Sequence, residues 1–82
     1  MECVYLIQAD YIRDYEIALQ FNTGERGNVD LRDIVFNNDA AKPLRSPNAF
    51  SQFYLDSWPT LAWKCGFDIA PETLYAKLQQ AA

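Results

Sequence analysis

From Tyr15 the chain alternates, with Tyr15, Ile17, Leu19 and Phe21 on one side and Glu16, Ala18, Gln20 and Asn22 on the other. A period of two sends successive side chains to opposite faces of an extended chain. The stretch therefore predicts a half-buried antiparallel strand, the first set in the core and Glu16 and Gln20 toward solvent. Asn22, Thr23 and Gly24 supply turn chemistry, and Val29 and Leu31 resume the alternation, so residues 14–31 are expected to form a hairpin. Gly24 is structural in that turn, and Gly27, inside the returning arm, predicts a bulge. Upstream, CVYLIQA at residues 3–9 is an unbroken apolar run of strand length. Its β-branched and aromatic content favours a strand that is central or well covered.

After Asp30 the period lengthens. Leu31, Ile34 and Val35 fall at i, i+3 and i+4, which predicts a short helical turn with Asp30 near its start. NNDAAKP, residues 37–43, reads as a loop. Ser46 before Pro47 joins a cap to a proline at the first helical position, and Phe50 and Phe53 share a face of a short helix ending by Phe53. FYLDSW and LAWKC, interrupted at Pro59 and Thr60, predict a second hairpin with Trp58 in its tight turn. Pro71 opens the last helix, where Leu74, Tyr75 and Leu78 form a narrow apolar stripe. The order βββ-α-α-ββ-α, with strands grouped in meanders, implies an α+β fold: a small antiparallel sheet with helices on one face.

Composition sharpens this picture. The 82 residues are enough for a single domain, 1–82, with a small core. Half the residues are hydrophobic, and five Phe, five Tyr and two Trp argue for a packed globule. A core of this size often supplies only about 3–5 kcal/mol, and homo-oligomerisation is one common supplement. Seven Lys and Arg against eleven acids give a net charge of −4, without a basic run for phosphates to follow, which disfavours direct nucleic-acid binding. Cys3 and Cys65 do not make a secreted disulfide framework, and no signal or membrane-length apolar span is visible. A cytoplasmic protein with both thiols reduced is expected, and a Cys3–Cys65 bridge is disfavoured on compartment grounds.

The absence of histidine removes Ser-His and Cys-His nucleophile pairs and the common zinc sites, and two separated cysteines do not complete a tetrahedral site. Glycines at 24, 27 and 66 make no phosphate-cradling loop, so neither cofactor nor metal is expected. Trp58 before Pro59 reads as a packed turn aromatic. Lys42 and Arg45 on a loop offer a modest anion contact at most.

The most informative stretch is WKCGFDIAPETLY, residues 63–75. Gly66 lets the backbone leave a strand in a conformation other residues resist, Pro71 starts a helix, and Asp68 and Glu72 lie near that helix's positive end. Three readings stay open. Asp68 caps or orients the helix, because Ala70 at the cap position has no side-chain acceptor. Alternatively, Trp63, Asp68, Glu72 and Tyr75 form an aromatic and acidic patch for a basic partner protein. The weakest reading makes Asp68 and Glu72 a paired-carboxylate site, which lacks further oxygen ligands in the sequence.

The order DYEIALQFNTGE (14–25), VDLRDIVF (29–36), PLRSPNAFSQF (43–53) and WKCGFDIAPETLY resembles the family known as domain of unknown function 2442 (DUF2442). Thr23-Gly24 stands where such domains usually carry Asp-Gly. The resemblance implies a small cytoplasmic bacterial or phage protein, found alone or beside a helix-turn-helix domain, often in toxin–antitoxin-like pairs, with no catalytic residues assigned. A helix-turn-helix module does not fit within these 82 residues beside the domain. Two functions follow as expectations: a non-enzymatic, antitoxin-like or regulatory protein that binds a partner protein such as a toxin or a regulator, or a DNA-associated regulator working as an oligomer or with a helix-turn-helix partner.

Overall fold

Alternation along 15–21 yields a strand because one face can be buried whole. In the structure, a computed structural model describing residues 4–57 and 60–81, Ile17, Leu19 and Phe21 are buried on β2 (Glu16–Phe21), with Tyr15 just before it. Glu16, Ala18 and Gln20 are half-exposed on the other face. A turn through Gly24, where φ is 94°, leads to β3 (Arg26–Asp30). β3 pairs with β2 in regular register from Glu16 opposite Asp30 to Gln20 opposite Arg26.

The bulge expected at Gly27 is therefore absent: Gly27 lies squarely opposite Leu19. What its missing Cβ provides is space, because Leu78 of the last helix packs directly over it. The irregularities are in β1 (Leu6–Arg13), whose register against β2 shifts between Leu6 and Gln8 and again between Tyr11 and Arg13. Ile7 and Ile12 are the extra residues. Among the described residues β1 is also an edge strand, since the sheet order is β1-β2-β3. The expectation of a central or well-covered strand is thus overturned: Leu6 is buried, but Tyr5 and Ile7 are exposed.

All the helices lie on the buried face. Asp30 accepts the Arg32 N–H at 2.9 Å, turning the chain into α1 (Arg32–Asn37). The expected loop that follows is instead a 3₁₀ segment, Asp39–Arg45, because Ala41 and Leu44 recur at a spacing of three and are both buried. After Ser46 comes α2 (Pro47–Phe50), a single turn that starts without a side-chain cap. Tyr15 meets Phe36 of α1 and Phe50 of α2 edge-on, each with ring centroids 5.4 Å apart, and Phe21 meets Tyr75 of α3 (Pro71–Ala81) at 5.3 Å. One strand face thereby gathers three helices. A second hairpin pairs β4 (Tyr54–Leu55) with β5 (Leu61–Ala62). Its expected turn residues Trp58 and Pro59, like Cys3, lie outside the described residues.

Candidate functional site

The junction after β5 is a second tight turn. Trp63 N–H donates to Phe67 O and Gly66 N–H to Trp63 O, both at 2.9 Å, and Gly66 has φ of 100°. The chain then returns along β5: Asp68 bridges Ala62, Ile69 N–H reaches Leu61 O at 3.1 Å, and the Thr60 hydroxyl donates to Ile69 O. LAWKC is therefore two residues of strand followed by a turn, with Cys65 exposed as a free thiol. α3 begins where Ala70 O accepts Thr73 N–H and Leu74 N–H. The Asp68 carboxylate takes no hydrogen bond among the described residues, so it does not cap the helix.

The four residues grouped as a patch do not sit together. Trp63 is buried at 2% exposure, its Nε1–H donating to Phe50 O at 2.8 Å and its ring tilted against those of Phe50 and Phe67. Its indole is a core strut tying β5 to α2, and it is not available to a partner at the surface. Tyr75 is half-buried against Phe21 and donates its hydroxyl to Glu25 in the β2–β3 turn, which pushes its pKa up because the carboxylate favours the protonated phenol. Asp68 and Glu72 do meet, with Asp56, around a shallow depression of about 360 Å³. No group of three or more acidic, Cys or His side chains among the described residues is arranged to hold a metal ion.

Between α1 and α3 an open groove of about 480 Å³ is lined by Asp30, Arg32, Asp33, Phe36, Asn37 and Lys77. Lys77 Nζ lies 2.7 Å from both Asp33 oxygens, and this hydrogen bond holds the Asp33 carboxyl below its usual range. Arg45 is not an anion site. Its Nε donates to Val35 O at 3.3 Å and its Nη2 to Phe36 O at 3.2 Å and Asn38 O at 3.5 Å, so it clamps the C-terminus of α1, where the helix dipole favours a cation. Tyr15 in turn donates its hydroxyl to Arg45 O.

The outer rim of the sheet carries exposed apolar side chains beside unpaired backbone. Tyr5, Ile7, Tyr11 and Ile12, four of the seven exposed large hydrophobics among the described residues, lie on or beside β1. Among the described residues no strand pairs with β1 on the side away from β2. Unpaired backbone groups beside exposed apolar side chains make a template for association. Sequence reasoning missed these residues because apolar side chains at both parities, as in VYLIQADYI, read alike for a strand covered on both faces and for an edge.

No curated protein matches the chain. Its fold is similar to the crystal structure of NE0471 from Nitrosomonas europaea, named a putative DNA binding protein, with a TM-score of 0.81 and 24% identity. The match covers 96% of this chain and 52% of that one, so the chain spans about half the length of that protein. The model of the family described as "Protein of unknown function (DUF2442)" matches residues 6–80, in accord with the order of motifs read from the sequence. The chain belongs to the DUF2442 family.

Proposed function

We propose that this chain is a non-catalytic association module of a DNA-linked regulator, working as an oligomer or beside a separate helix-turn-helix subunit that contacts the DNA. The observation that carries this reading is the free edge of β1 with its exposed Tyr5, Ile7, Tyr11 and Ile12. A surface of that kind suits protein contact, while a net charge of −4 does not suit phosphates. The fold's likeness to half of a protein named a putative DNA binding protein supports the link to DNA.

The antitoxin-like reading shares the edge but draws on a different feature, the acidic depression of Asp56, Asp68 and Glu72, which suits a basic partner protein. Crosslinking in the native cell, followed by capture and identification of protein and DNA together, separates the two. DNA recovered with a helix-turn-helix protein supports the regulator, with the purified chain alone giving no mobility shift on duplex DNA. A basic toxin-like partner recovered without DNA overturns it in favour of the second reading.

A further inference from the structure

The backbone of β1 decides what its free edge can accept. Tyr15 O accepts Leu31 N–H and Phe21 N–H donates to Glu25 O, so the odd residues of β2 turn their backbone groups toward β3. Alternation then turns the even residues toward β1, as the Asn22 N–H bond to Tyr5 O shows. Gln8, opposite Gln20, and Asp10, opposite Ala18, therefore use their backbone groups against β2. Ala9 and Tyr11, opposite the odd residues Leu19 and Ile17, direct theirs outward. Between the extra residues Ile7 and Ile12, only residues 8–11 are regular.

Resting on the reading of this chain as an association module, we infer that the edge is occupied by a second copy of the chain, paired antiparallel with β1 about a two-fold axis through Ala9. Closed homodimers use such self-complementary contacts. In this register the two Ala9 residues exchange backbone hydrogen bonds at the axis, where the smallest side chain of the strand allows close approach. Gln8 faces Asp10 of the other copy twice.

Charge selects this register over its neighbour. Shifting the axis to residue 10 keeps the faces matched but sets Asp10 against Asp10, and like charges directly opposite are destabilising. With the axis at Ala9, Asp10 faces the Gln8 amide instead. Within one chain Gln8 Nε2 already donates to Asp10 Oδ2 at 2.7 Å, so the amide–carboxylate contact needed across the axis uses side chains placed for it. The two register shifts keep the paired segment short, so the dimer should dissociate on dilution.

Sedimentation equilibrium of the whole chain, from roughly 1 µM to 1 mM, tests this. Twice the chain mass at the upper end is expected. Gln8→Asp sets carboxylate against carboxylate at two points and should raise the dimer Kd at least about tenfold. Adding Asp10→Gln regenerates the pair in reverse and should restore it. Ala9→Pro, which removes an outward N–H that the monomer does not use, should abolish pairing. Circular dichroism melts confirm that each variant is folded. A monomer across the range, or a dimer indifferent to both Gln8→Asp and Ala9→Pro, overturns the inference. A monomeric chain that still recovers a DNA-binding protein on capture overturns the dimer and leaves the proposed function intact; a dimer that recovers neither protein nor DNA does the reverse.

Discussion

Leu78 of α3 rests on the bare backbone of Gly27: a Cβ built at position 27 would lie 2.6 Å from Leu78 Cδ1. The helix can lie this close to β3 because the strand offers no side chain there. Gly27→Val should therefore destabilise by about 1–3 kcal/mol through overpacking. Leu78→Ala in the same chain should recover part of that loss, and a double-mutant cycle in denaturant measures the coupling. Independent, additive effects would mean the helix does not depend on the gap.

Leu19, opposite Gly27 and 2% exposed, lies at the middle of the buried face. Leu19→Ala should lose about 2–5 kcal/mol, a large share of the stability of a domain this small. Denaturant melts showing less than about 0.5 kcal/mol lost would contradict the register of β2.

The Trp63 indole satisfies the Phe50 carbonyl while filling the core. Trp63→Phe keeps an aromatic ring but leaves a buried acceptor unpaired, so a loss of about 1–3 kcal/mol is expected. Partner capture below the melting temperature should stay unchanged. Reduced capture with stability preserved would return Trp63 to the binding surface.

Tyr75 and Asp33 titrate in opposite senses. The folded pKa of Tyr75 lies above its ordinary value of 10.0, so its contribution is fully present below that value and is lost as pH rises through the elevated one. Glu25→Gln should lower the Tyr75 transition toward the ordinary range, which phenolate absorbance reads directly. Asp33 lies below 3.8, so its contribution is present above that and is lost as pH falls through the depressed value. Its carboxylate is 60% exposed, so Asp33→Asn should change stability near neutral pH by no more than about 1 kcal/mol.

Asp68 and Glu72 are exposed around the acidic depression, and Asp68 makes no helix cap. Asp68→Asn and Glu72→Gln should each leave stability within about 0.5 kcal/mol. Weaker capture of a basic partner at low salt, absent at high salt, would support the acidic depression as a contact surface. A stability loss with capture preserved would contradict that.

Much of the architecture was legible in the chain because burial on one face leaves a periodic trace. The alternation from Tyr15 to Phe21, the stripe Leu74, Tyr75 and Leu78, Pro71 at a helix start and Gly66 at positive φ each follow from local geometry acting on a few neighbouring residues. The family is legible for the same reason, since its motifs are the residues that those elements require in order.

What the tertiary structure decided concerns contacts between distant segments. Local pattern does not tell a glycine that bends a strand from one that admits a helix, and Leu78, far along the chain, makes Gly27 the second kind. Nor does it tell a tryptophan on a surface from one whose N–H meets a carbonyl thirteen residues away. Position within the sheet is likewise set by partners: an apolar run reads alike at the centre and at an edge, and only the pairing of β2 with both neighbours leaves β1 exposed.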